Sequence, residues 1–178
     1  MFYYIHGYES SPESNKGTIF KEKLNAKAIK YRDCEPKDLI ISDCLKRISD
    51  VIKNDSDAVL IGSSLGGFLA ASTAINHPNV KKLILLNPVI VLPSTNLDNH
   101  AGVPRKILED MRDKRLFENR LNAEIIILRG TEDEVVPDDW VLEFAKVQEA
   151  TVIFLHDDHR FSRNLTKLPI IISDLLKK

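Results

Sequence analysis

Short runs of Ile, Val and Leu recur along the chain, and longer segments with apolar residues at helical spacing lie between them. The short runs cover residues 2–5, 28–31, 58–61, 83–86, 124–128 and 151–155. None alternates strictly between polar and apolar positions, which is the pattern of parallel strands covered on both faces. Between them the spacing predicts helices over 14–24, 37–53, 67–76, 138–148 and 167–176. Ile41, Leu45, Ile48 and Ile52 share one face of the second. The third is rich in alanine, and the fourth carries Trp140, Val141, Phe144 and Val147. Pro169 is tolerated in the last because it falls in the first turn. Strands alternating with helices imply right-handed crossovers. The expectation is an α/β fold with about six parallel strands in a doubly wound sheet and helices on both faces. No repeat, linker or low-complexity stretch intervenes, so residues 1–178 read as a single domain.

One stretch breaks the rhythm. Residues 88–122 put roughly 35 positions between two strands, more than an ordinary connection needs. Residues 88–93 read as extended, 94–102 as a polar, turn-rich loop, and 104–117 as a helix with Ile107, Leu108, Met111, Leu116 and Phe117. Two readings stand side by side. The segment is a small cap over a site, or it is a normal crossover helix with a long lead-in loop.

Composition narrows the class. A chain of 178 residues can bury about 70% of its unfolded surface as one core. The 43% hydrophobic and 29% charged content is ordinary for a globular protein, and the net charge of -1 offers nothing to nucleic acid or to a charged membrane surface. No apolar run approaches the roughly 20 residues of a membrane span. The opening residues lack the basic stretch of a secretory leader. Cys34 and Cys44 do not make a disulfide framework, and Cys44 lies on the apolar stripe with Leu45, Ile48 and Ile52, as a buried thiol would. A cytoplasmic location is the expectation.

The candidate chemistry centres on Gly62-Ser63-Ser64-Leu65-Gly66, set between an apolar run and a small-residue helix. It fits G-x-S-x-G, in which a sharp strand-to-helix turn lifts a serine above the sheet edge. A serine hydroxyl needs a neighbouring base to become a nucleophile. Two later loops follow strand ends and supply an acid and a base. Asp133 sits in the loop after 124–128, with Glu132 and Glu134 as rivals. His159 sits in the loop after 151–155, with His156 as a rival that is expected to pack against the strand. The order Ser64, Asp133, His159 is that of the Ser, Asp/Glu, His arrangement on α/β sheets. An oxyanion hole needs two N–H donors. Leu65 follows the nucleophile, and Tyr8 follows Gly7 in the loop after the first strand. His6 is expected to brace that loop. Other readings carry less. The turn lacks the spacing and lysine of a phosphate loop, Ser64 as a mere helix N-cap explains nothing downstream, and four adjacent residues at 156–159 cannot easily face one metal ion.

With His6-Gly7-Tyr8-Glu9-Ser10-Ser11-Pro12, the serine turn, Asn87-Pro88, Gly130-Thr131-Glu132-Asp133 and Asp158-His159-Arg160-Phe161 assembled, the chain resembles the small YqiA-type esterases of the α/β-hydrolase superfamily. The likeness runs from the first residues to the last helix. It implies a minimal α/β-hydrolase fold with a small cap-like insertion. It further implies hydrolysis of a small carboxyl-ester or thioester substrate, with Ser64, Asp133 and His159 as the triad and no metal or organic cofactor. It also implies that the N-terminal hairpin of larger α/β-hydrolases is missing here. The expected course is acyl transfer. His159 takes the Ser64 proton, Ser64 attacks the carbonyl, and activity rises with pH as an imidazole of pKa about 6.5 loses its proton. A peptidase, another triad-based enzyme and a non-catalytic binding protein of the same fold are the alternatives.

Overall fold

The computed structural model describes residues 1–97 and 103–177. The apolar runs pair side by side into one sheet of six strands: β1 (Phe2–Ile5), β2 (Lys27–Ala28), β3 (Ala58–Ser63), β4 (Val80–Leu86), β5 (Glu124–Glu132) and β6 (Thr151–Asp158). Their spatial order is β2-β1-β3-β4-β5-β6, and every neighbouring pair is parallel. Successive side chains on a strand point to opposite faces, so the sheet carries two cores. Tyr3, Ile5, Leu60, Leu83, Leu85 and Ile127 pack with α2 (Ile41–Ile52), α3 (Leu65–Asn76) and α6 (Asp138–Gln148). Tyr4, Ile61, Ile84, Leu86 and Leu128 pack on the other side with Phe20 and Leu24 of α1 (Asn15–Leu24) and with Leu168 and Ile172 of α7 (Leu168–Leu176). The result is a doubly wound parallel sheet with helices on both faces, as the alternation of strands and helices predicts. The strand order reverses between β1 and β3, so the loops leaving their carboxyl ends diverge and open a crevice.

Several boundaries move, for physical reasons. β5 and β6 run past Leu128 and Leu155 because they continue to pair with each other, across an irregularity between Gly130 and Glu132. β2 pairs with β1 only at Lys27 and Ala28, after which Ile29 N donates once to Tyr4 O and the chain turns inward. The helix expected over 37–53 begins at Ile41, preceded by a 3-10 turn at Pro36–Asp38. Pro169 does sit in the first turn of α7.

The segment 88–122 resolves into α4 (Arg105–Asp110) and α5 (Arg115–Glu118) instead of one helix over 104–117. The break lies at Asp113. Its carboxylate accepts from Arg115 N at 3.1 Å and pairs with the Arg115 guanidinium, which starts a second helix where the apolar spacing had run on. Ile107, Leu108, Met111 and Leu116 are buried in the core that also holds α3 and α6. Gln148 of α6 ties the segment down. Its Nε2 donates to the carbonyls of Leu116 and Asn119, and its Oε1 accepts from Leu121 N, all within 2.9 Å. These two helices therefore fill the crossover layer, and Val103, just before α4, lies at the crevice. Residues 98–102 of the expected polar loop lie outside the described residues.

Candidate active site

Ser64 occupies the turn between β3 and α3 with φ 56° and ψ −120°. That conformation is sparsely populated for a residue bearing a Cβ and costs of order 1–3 kcal/mol. The surrounding backbone holds it there. Ser64 N donates to Leu86 O at 2.9 Å, and Ser64 O accepts from Gly67 N at 2.9 Å and from Val89 N at 3.2 Å. The flanking glycines leave room for the turn. A Cβ on Gly62 would lie 2.4 Å from the Gly66 carbonyl oxygen, and one on Gly66 would lie 2.0 Å from the Ile5 carbonyl oxygen. Ser64 stands at the N-cap position of α3, yet its hydroxyl makes no capping bond.

That hydroxyl instead faces His159, with Oγ 3.0 Å from Nε2. His159 Nδ1 is 2.9 Å from Asp133 Oδ1. The Asp133 side chain is wholly shielded from solvent and that of His159 is 13% exposed. Asp133 lies one residue beyond β5 and His159 one residue beyond β6, so two adjacent strand ends bring the carboxylate and the imidazole together. Burial pushes the Asp133 carboxyl up. The hydrogen bond and charge of His159, with the N–H groups of Val135 and Val136, outweigh it and hold the carboxyl below the usual carboxylate range. An ionised carboxylate only accepts, so Nδ1 carries the imidazole proton and Nε2 is left to accept from Ser64 Oγ.

Two buried polar residues frame this chain of groups. Arg129, in β5, pairs with Asp133 Oδ2, and its guanidinium also donates to Asp138 Oδ1 at 2.7 Å and to Val136 O at 2.6 Å. Asn87, immediately after β4, is fully buried at φ 43°. Its Nδ2 donates to the carbonyls of Asp158 and His159 at 3.2 and 3.1 Å, and its Oδ1 accepts from Gly130 N at 2.8 Å. It thus bonds to the strand that leads to Asp133 and to the loop that carries His159. Sequence reasoning assigned no role to Arg129 or Asn87. The available signal was a polar residue breaking each apolar run at its carboxyl end.

The loop after β1 closes the other side. His6 is buried, stacks on Tyr31 at 4.3 Å between ring centroids, and its Nδ1 donates to Gly7 O at 2.9 Å. Tyr31 Oη donates towards the carbonyls of His6 and Gly7 at 3.2 and 3.1 Å. Burial pulls the His6 imidazole down to about 4. The Gly7 backbone passes so near Ser64 that an added Cβ would lie 3.3 Å from the Ser64 Cβ. Tyr8 follows at the crevice wall, and Leu65 begins α3, whose first N–H groups have no acceptor within the helix.

The rivals fall elsewhere. His156 does not pack against the strand as expected. β6 is the sheet's edge and continues through it, so His156 is 75% exposed, near Glu132 at 3.4 Å and Arg163 at 3.2 Å. Asp157 Oδ1 and Oδ2 accept from Arg163 N and Asn164 N, and Asp158 Oδ1 accepts from Arg160 N and Ser162 N. Residues 156–159 therefore point to four different sets of partners. Glu132 pairs with Arg163 at 2.7 Å on the surface, and Glu134 is exposed at the crevice rim. The crevice is a cavity of about 670 Å³, whose lining includes Ser64, His159, Tyr8, Val103, Lys16 and Arg160.

A family model matches residues 1–175, and its description is an uncharacterised protein family, UPF0227. The chain belongs to this family. Membership agrees with the YqiA-type resemblance carried by the sequence motifs. No curated relative matches the chain. Solved structures do. Est1E from Butyrivibrio proteoclasticus superposes with a TM-score of 0.77 at 17% identity, covering 98% of this chain and 86% of its own. Alpha/beta hydrolase domain-containing protein 10 from mouse superposes with a TM-score of 0.76 at 18% identity, covering 99% and 89%. The Pyrococcus furiosus esterase Pf2001 superposes with a TM-score of 0.71 at 16% identity, covering 98% and 79%. At these identities the likeness establishes the fold. Among the described residues no helix is long and apolar enough to cross a membrane.

Proposed function

We propose that this UPF0227 member is a serine hydrolase that cleaves carboxyl esters or thioesters through an acyl-enzyme on Ser64. The observation that carries the reading is the unbroken hydrogen-bonded chain from Ser64 Oγ through His159 to the buried Asp133 carboxylate. His159 Nε2 takes the hydroxyl proton as Ser64 Oγ attacks the carbonyl carbon. Asp133 keeps the imidazole in the tautomer that can accept it and supports the imidazolium that forms. The oxyanion develops between the N–H groups of Leu65 and Tyr8, a reading supported by the closeness of the Gly7 backbone to Ser64. His159 then protonates the departing alcohol or thiol. Water adds to the acyl-enzyme by the same route, and Ser64 recovers its proton. Each step moves one proton between Ser64, His159 and the leaving group or water. One of the superposed proteins, Pf2001, is named an esterase, which supports this substrate class.

The direct test is turnover of 4-nitrophenyl butyrate. Ser64→Ala is expected to lower kcat by at least about 10³-fold, as loss of the attacking group does in triad enzymes. A fluorophosphonate is expected to label Ser64 alone, read by peptide mass. Undiminished turnover in Ser64→Ala, or an adduct on a different serine, sinks the assignment.

A further inference from the structure

One wall of the cavity differs in kind from the rest. Lys16, in the first turn of α1, and Arg160, one residue after His159, both line it beside Ser64 and His159. Lys16 Nζ donates to the Arg160 carbonyl at 2.6 Å, its single hydrogen bond among the described residues. An ammonium has three donors, so two remain for the cavity. Lys16 is half-buried, and burial together with the Arg160 charge pulls it down to about 8 even though Asp157 and Asp158 act the other way. A cation stripped of water and short of acceptors gains from an incoming anion. The Arg160 guanidinium is exposed, with no partner among the described residues, and adds a second charge at the mouth of the same wall. Ser14, Asn15 and Ser162 supply further polar groups along it. Two carboxylates, Glu9 and Glu134, also reach the cavity, but both are exposed, where water and salt weaken them more than the half-buried ammonium.

We propose that Lys16 and Arg160 form an anion-binding subsite, so that the preferred substrate is an ester or thioester bearing a carboxylate or phosphate away from the scissile bond. This rests on the hydrolase reading above, because the subsite is defined by its nearness to Ser64. The anion belongs to the substrate and takes no part in bond breaking. It anchors one end while Ser64 attacks the carbonyl, and the acyl transfer balances as already written.

The experiment compares esters matched in shape and differing in charge. 4-Nitrophenyl hemisuccinate against 4-nitrophenyl butyrate places the anion on the acyl side. 4-Acetoxybenzoate against phenyl acetate places it on the leaving group. One pair is expected to show a higher kcat/KM for the anionic ester, and which pair does so assigns the anion to the acyl or the leaving side. In Lys16→Met the ratio of anionic to neutral kcat/KM is expected to fall about tenfold, the scale of one charged hydrogen bond. In Lys16→Arg most of the ratio is expected to survive. Arg160→Met, at an exposed site that folding tolerates, is expected to lower the ratio a few-fold, and added salt to lower it in the parent. A parent ratio at or below one for both pairs overturns the subsite, as does a ratio that neither variant moves. Those outcomes leave the Ser64 assignment standing, whereas undiminished turnover of all four esters in Ser64→Ala removes the hydrolase reading itself.

Discussion

Asn87 illustrates how much of the site depends on a residue with no reactive role. Its side chain satisfies the Gly130 N–H and reaches the carbonyls of both Asp158 and His159. Removing it leaves buried groups unpaired, at about 1–3 kcal/mol each where water cannot replace the partner. It also frees the segment that holds the imbalance-sensitive His159–Ser64 distance of 3.0 Å. Asn87→Ala is therefore expected to lower stability by about 2 kcal/mol and to lower kcat by about tenfold or more, since misplacement by an ångström is costly in rate. Steady-state ester kinetics at a temperature where the variant remains folded, alongside a urea melt, check both. A kcat within twofold of the parent would show that His159 is held by Asp133 alone. Ser64 and His159 stood out as candidates from spacing, because each had a motif or a strand end to mark it. Arg129 was visible only as a polar residue after an apolar run, and Asn87 as that and as part of the Asn87-Pro88 element of the resemblance, neither with a role of its own. Asn87 bonds to Gly130, Asp158 and His159, which are distant in sequence. Arg129 bonds to Asp133, Val136 and Asp138 a few residues on, across an irregular turn that has no periodic pattern.

At the scale of elements, helices with a single apolar face were legible and irregular ones were not. α2 buries Ile41, Cys44, Ile48 and Ile52 on one stripe, and α6 spans the expected residues 138–148. The segment between β4 and β5 was ambiguous because its apolar residues suit a cap, a partner or a core. The core takes them, and Gln148 makes that packing specific by pairing three backbone groups of the α5 region. Gln148→Leu keeps the bulk and leaves those groups without partners. It is expected to cost about 2–3 kcal/mol, read as a lower urea midpoint with an unchanged slope. Because Gln148 does not line the crevice, kcat for an uncharged aryl ester is expected to stay within about twofold, a change too small to signal a rearranged site. A stability equal to the parent's would mean that the α5 region is not held to α6 by this residue.

For the whole molecule, His6 makes stability sensitive to acid. In an unfolded chain a histidine titrates near pH 6.5, while burial in the fold holds His6 at about 4. Between those values the unfolded chain binds a proton that the folded chain does not. Stability therefore falls as pH drops through this window, by up to roughly 3 kcal/mol, and is regained as pH rises. His6→Phe keeps the ring stacked on Tyr31 and removes the titration. The loss of stability between pH 7 and pH 5, from urea melts, is expected to be smaller in the variant than in the parent. Equal losses would assign the acid sensitivity to carboxylates such as Asp133 instead.

What the sequence determined by itself was the alternation of strands and helices, and with it a parallel sheet whose loops gather at one edge. Those are local properties. Apolar periodicity, proline position and glycines at a sharp turn act within a few residues. The order Ser64, Asp133, His159 followed from the same logic, since each residue lies at a strand end. Tertiary structure decided the rest, because it depends on which distant groups meet in a dry place. It extended β5 and β6 through their mutual pairing and left His156 on an exposed edge. It also buried Arg129 and Asn87 behind Asp133, and set Lys16 and Arg160 on one wall beside Ser64. Hydrogen bonds such as Arg129 to Asn87 and Lys16 to the Arg160 carbonyl, across 42 and 144 residues of chain, carry no periodic signature, so only the fold reveals them.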